Sequence, residues 1–167
     1  MRKIMLWAIT ASLTFSGVAL ANNRSNRSQA RHHRHVRVIK LFASTVQLKQ
    51  LDLGDSGFSL GDEIVLADDV FTSKGGTNVG SDAGVCTVVR VDNATTATGT
   101  LQCPVTLSLQ GGQLFTVGLV QLANGALSGT QVVAVSGGTG RYRAAEGEMA
   151  IQFLSPTEAN YTITLAR

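Results

Sequence analysis

Histidine is missing from this chain after His35. That absence removes Ser-His-Asp and Cys-His nucleophilic chemistry from everything downstream and leaves acid–base work to carboxylates, tyrosines or a thiol. Cysteine occurs only at Cys86 and Cys103, with no histidine near either, which is too few ligands for a closed zinc site. No metal and no cofactor are therefore expected. Helical periodicity is sustained nowhere, and no segment repeats at a fixed period. The glycine-dense stretch Ala134-Val-Ser-Gly-Gly-Thr-Gly140 lacks the Walker spacing and its lysine, and also the third glycine of a dinucleotide fingerprint, so its glycines read as turn geometry.

The amino terminus is unlike the rest. Met1-Arg2-Lys3 is basic, Ile4 to Phe15 is mainly apolar and too short to span a bilayer, and Ala19-Leu20-Ala21 has the small-x-small pattern of a cleavage site. Residues 1–21 are thus expected to be a signal peptide, which implies a secreted or periplasmic protein without membrane insertion. Residues 22–40 carry six positive charges and no acid, whereas residues 41–167 carry six basic groups against eleven acidic ones. A segment so poor in apolar surface cannot fold alone, and residues 22–40 read as a disordered basic arm. It lacks the aromatic interleaving of a nucleic-acid binder, so no nucleic-acid partner is expected. His32, His33 and His35 are broken by Arg34 and do not form a built metal site.

Residues 41–167 are one domain of strands and turns. Leu101, Cys103, Val105, Leu107 and Leu109 alternate with Gln102, Pro104, Thr106 and Ser108, a strand with one polar face on which Pro104 suggests an edge or bulge. Val133 and Val135 precede the glycine-rich turn at period two, and Met149, Ile151 and Phe153 follow it at the same period. Tyr161, Ile163 and Leu165 supply a closing strand. Many short strands between turns argue for a barrel or a sandwich, and closure would remove the edges prone to aggregation.

Export makes the cysteines readable, because disulfides persist outside the cytosol. Cys86 and Cys103 lie in consecutive apolar runs that a hairpin would bring side by side, so a Cys86–Cys103 bridge is expected. Asp68 and Asp69 pose a different question. In Ile64-Val-Leu-Ala-Asp-Asp-Val-Phe71, alternation puts Asp68 with Ile64, Leu66 and Val70, and Asp69 with Val65, Ala67 and Phe71. If the strand stays regular, one acid sits among apolar side chains, where carboxyl groups resist ionisation and can act as a general acid or base. If it ends or bulges there, both acids are solvated.

Three stretches, in order, carry a resemblance: Leu60-Gly61-Asp62, Ala83-Gly84-Val85-Cys86, and Gly137-Gly-Thr-Gly-Arg-Tyr-Arg-Ala-Ala-Glu-Gly147. Over about residues 50 to 165 the chain resembles the allene oxide cyclase and dirigent superfamily. The resemblance implies an all-β fold, an eight-stranded antiparallel barrel around an apolar cavity, and a homo-oligomer, trimer or dimer. It implies a catalytic role for Asp68, which matches a pocket asparagine of the plant cyclases, and ligand-binding roles for Asp68, Arg141 and Arg143, since dirigent proteins use pocket aspartates and an arginine. Cys86 matches a pocket position of the cyclases, which sets a functional thiol against the bridge. The cyclases' first-strand glutamate has no counterpart, because residues 36 to 48 contain no acid. The reading that results is an exported barrel whose lumen binds a small apolar molecule and steers a cofactor-free cyclisation or stereoselective coupling, isomerase-like or dirigent-like. The competing reading is a ligand-binding or structural barrel without turnover. These differ in the lumen: an enzyme needs a buried polar group among apolar walls, and a scaffold fills the space with side chains.

Overall fold

The computed structural model describes residues 36–166, and these are nearly all strand. The strands are β1 (Val36–Leu51), β2 (Glu63–Phe71), β3 (Asn78–Asn93), β4 (Thr98–Leu109), β5 (Gly112–Ala123), the two-residue β6 (Ala126–Leu127), β7 (Thr130–Gly138), β8 (Glu146–Ser155) and β9 (Glu158–Ala166). Their order is β4-β3-β2-β1-β9-β8-β7-β5, with β6 beside β5, and a β4–β5 pairing closes the sheet. Every pairing is antiparallel. The eight long strands therefore form a closed barrel, which leaves none of them with an unpaired edge.

Alternation decides what fills it. Val133, Val135, Met149, Tyr161, Ile163, Leu165, Leu101, Cys103 and Leu107 are all buried, as their period-two spacing predicts. Gly140, between β7 and β8, has φ +57°, and a Cβ there would collide with the Gly111 carbonyl oxygen. The turn is zipped to the β4–β5 hairpin by Thr139 N–H to Gln113 O (2.8 Å) and Arg141 N–H to Gly111 O (2.8 Å). The glycines are thus geometric, because the two turns approach more closely than side chains allow. Tyr142, buried beside them, lies under the guanidinium groups of Arg37 and Arg141 at 5.8 and 5.5 Å from its ring centroid.

Two expectations need correction. The domain does not begin at residue 41: Val36 to Lys40, assigned to the arm by their charge, are strand residues paired with Ala166 to Thr162 of β9. Their backbone hydrogen bonds are satisfied by β9; the Lys40 side chain stays exposed, and half-buried Arg37 lies over the Tyr142 ring. Residues 1–35, and with them the signal peptide, the rest of the arm and the three histidines, lie outside the described residues. Pro104 is not on an edge either, since β4 pairs with both β3 and β5. The β3–β4 ladder instead skips between Gly84/Val105 and Thr87/Gln102, where Pro104 has no N–H to give.

Candidate functional site

The strands enclose a cavity of about 240 Å³ whose walls are mainly apolar, with Leu66, Val105, Val120, Val133, Met149 and Phe153 among them. It opens between the β8–β9 turn, the β5–β6 turn and the distal part of β1, where Leu48 and Gln50 line it. An adjoining recess of about 330 Å³ shares Gln50, Ile64, Leu122 and Gly125 with it and runs beneath Phe58. The loop over that recess is pinned by Asp62 of the Leu-Gly-Asp stretch. Its carboxylate accepts the N–H groups of Leu53 (2.9 Å) and Ser59 (2.7 Å) and the Ser59 hydroxyl (3.2 Å). Burial works against the Asp62 charge, but these bonds outweigh it and hold the carboxyl below its ordinary value. Asp62 is thereby an anchor of the loop.

Asp68 is where sequence left two readings open, and the strand stays regular through it. It is buried, lines the cavity beside Ile64 and Leu66, and Asp69 points the other way and is only half-buried. The Tyr161 hydroxyl donates to Asp68 Oδ2 at 3.1 Å, while Asp68 Oδ1 has no protein partner. Directly across the β2–β3 ladder from Asp68 stands Asp82, 2% exposed, with neither carboxyl oxygen bonded. Burial first, and then the Asp68 charge beside it, raise the Asp82 pKa to about 8. Asp82 therefore keeps its proton at neutral pH. Tyr161 is likewise held protonated, by burial first and then by the charges of Asp82 and Asp68.

Asp82 and Tyr161 are the residues that sequence reasoning missed. The signal for Asp82 was the alternation of β3, which puts Asp82, Gly84, Cys86 and Val88 on one face; once Cys86 is inward, so is Asp82. Between Asp82 and Cys86, Gly84 lets the β4 backbone approach closely, because a Cβ there would strike the Pro104 carbonyl oxygen. Nothing local marked Tyr161, whose role depends on β9 lying next to β1, one strand beyond it from β2.

Cys86 and Cys103 form a disulfide, with Cα atoms 4.1 Å apart, and both cysteines line the cavity. The bridge is a wall of the lumen, so Cys86 is not a thiol. Arg141 and Arg143 are exposed, and neither lines the cavity, which corrects their expected ligand-binding place. They sit in the β7–β8 connection, at the ends of those strands opposite to the turns that frame the opening. Arg141 is occupied instead with Tyr142. Among the described residues no group of three or more His, Cys, Asp or Glu side chains could hold a metal ion, and no helix is long and apolar enough to cross a membrane.

Solved structures share this architecture. A pyocyanin demethylase matches with a TM-score of 0.66 and 26% identity over 77% of this chain and 99% of its own. A pterocarpan synthase dirigent protein matches with a TM-score of 0.63 and 15% identity, covering 90% of this chain and 99% of that one. A Diels-Alderase from Streptomyces koyangensis matches at 0.59 and 15% identity, covering 83% of this chain and 71% of that one. No curated protein sequence matches. The model of the allene oxide cyclase barrel-like domain matches residues 42–165, a span that includes most of the barrel and its acid pair. The chain belongs to the allene oxide cyclase barrel-like family.

Proposed function

We propose that this protein is an exported barrel that takes one small apolar molecule into its lumen and steers its cyclisation or stereoselective coupling without a cofactor. The observation that carries this reading is the Asp68–Tyr161 pair on the wall of a mainly apolar cavity, with Asp82 opposite Asp68 on the neighbouring strand. A packed scaffold has no use for buried acids, which cost free energy unless paired or hydrogen-bonded. Here they offer a proton donor and an acceptor side by side, held rigidly by adjacent strands, where low dielectric strengthens any charge they stabilise in a reacting ligand. The apolar walls would orient the ligand and exclude water, and such positioning is the larger part of what a cyclisation or coupling requires. Relatives of the same fold point the same way, since they include a dirigent protein and a Diels-Alderase. Export is supported by the disulfide, which is stable in oxidising compartments.

A carrier without turnover is the second reading, favoured by the same cavity if the acids only fix ligand orientation. Native mass spectrometry of the protein purified from its own source is expected to reveal a retained apolar compound. Incubating that compound or its precursor with the protein should yield a changed product, and Asp68→Asn and Asp82→Asn should each slow the change by about 10²- to 10⁴-fold. Conversion at an unchanged rate in both variants would sink the role of the acids. Binding without conversion would leave the carrier.

A further inference from the structure

Among the described residues, the lumen contains no lysine, arginine or histidine. Its charged lining residues are Asp68 and, at the opening, Glu158, whose Oε2 is paired with Lys74 Nζ at 2.7 Å. Asp82 stands behind Asp68 and completes the pair. The electrostatics of the interior are therefore one-signed. Asp68 lines the cavity with only 7% of its surface exposed, and its Oδ1 has no protein donor. A buried carboxylate oxygen without a partner is costly, and a ligand that supplies the partner recovers that cost.

From this we infer that the lumen is built for an apolar monocation, a protonated amine or heteroaromatic cation about two fused rings in size, with its positive end against Asp68 and its rings among Leu66, Val105 and Met149. The inference rests on the lumen-binding reading above and narrows it to one class of substrate. The size follows from the cavity: an apolar void of about 150 Å³ accepts benzene, and this one measures about 240 Å³. The charge follows from the acid pair. Two carboxyl groups stand side by side with no cation lining the lumen, so a ligand that brings a positive charge is the complementary one. A ligand ending in a carboxylate meets repulsion with no cation in the lumen to relieve it, so carboxylic-acid substrates are excluded.

The test is a series on one ring system, measured by isothermal titration calorimetry at pH 7 with the whole protein: 1-naphthylmethylamine as the cation, 1-naphthylmethanol as the neutral donor, and 1-naphthoate as the anion. The amine is expected to bind at least tenfold more tightly than the alcohol and a hundredfold more tightly than the naphthoate, and Asp68→Asn should collapse both ratios towards one. Naphthoate or the alcohol binding as tightly as the amine overturns the proposal while lumen binding stands. If none of the three binds and each fails to raise the melting temperature, lumen binding itself is overturned. Should Asp68→Asn fail to fold, the ranking of the three probes on the wild-type protein still decides.

Discussion

Asp68 on β2 and Asp82 on β3 face each other directly across an antiparallel ladder, and the hydroxyl of Tyr161 on β9 reaches Asp68 past the intervening β1. Like charges opposite one another in a sheet are destabilising. The barrel keeps this pair nonetheless, and its cost appears as a carboxyl that titrates near neutral pH. Stability has been given up where two acids are buried side by side, which is the pattern expected of a site rather than of a core.

Asp82 should make stability fall with rising pH. Below its ordinary pKa of 3.8 the acid is protonated in folded and unfolded chains alike. Between 3.8 and about 8 the folded protein holds a proton that the unfolded chain has released, so stability declines across that window and levels off above it. Asp82→Asn should flatten the decline and be more stable than wild type by about 1–3 kcal/mol at pH 9. Urea denaturation from pH 4 to pH 9 measures this; parallel curves for variant and wild type would show that Asp82 is not the titrating group.

Tyr161→Phe removes the hydroxyl that donates to Asp68 Oδ2 and leaves another buried oxygen unpartnered. A loss of about 1–3 kcal/mol in denaturant unfolding is expected. In the Asp68→Asn background the same substitution should cost clearly less, because the charge that the hydroxyl serves is gone. Equal losses in the two backgrounds would mean that the contact contributes nothing.

The disulfide closes a loop between positions 17 residues apart and should contribute about 3 kcal/mol. Thiol alkylation of the denatured exported protein is expected to label Cys86 and Cys103 only after reduction. The double variant Cys86→Ser with Cys103→Ser should melt markedly lower and should also bind apolar probes more weakly, since both residues line the cavity.

Truncation separates the strand from the charge run that precedes it. A chain beginning at Leu41 should melt at least about 5 °C below one beginning at Val36, because it loses the β1–β9 ladder from Val36 to Lys40 and the Arg37 contact with Tyr142. Identical melting temperatures would show that these five residues contribute nothing to the barrel.

Gly140→Ala tests the glycine-rich turn. The substitution forces a side chain into the left-handed region and against the Gly111 carbonyl, and should cost about 2 kcal/mol or more. Gly54→Ala has an equally left-handed φ of +88° but open space around it, and should cost about 1–2 kcal/mol. The difference between the two, read by thermal unfolding, isolates the steric part.

Period-two alternation by itself determined that this protein is all strand, which side of β4, β7, β8 and β9 is buried, that the glycines near residue 138 make a turn, and that one of Asp68 and Asp69 faces inward if the strand is regular. These are local properties, written in nearest neighbours and in backbone conformations that only glycine adopts easily. Local pattern also misled where composition outweighed it. The charges of Arg37 and Lys40 suggested an arm, but strand formation there depends on a partner strand more than a hundred residues away. Likewise, Arg141 and Arg143 follow the turn as a family signature does, yet only closure of the barrel decides that this turn lies at the end away from the opening. The acid pair was decided in the same way. Asp68 and Asp82 lie 14 residues apart in sequence, but their opposition is set by the β2–β3 register, and Tyr161 joins them only because β9 pairs with the far side of β1. Register and closure are sums over many pairings along the chain, so no single stretch of sequence contains them.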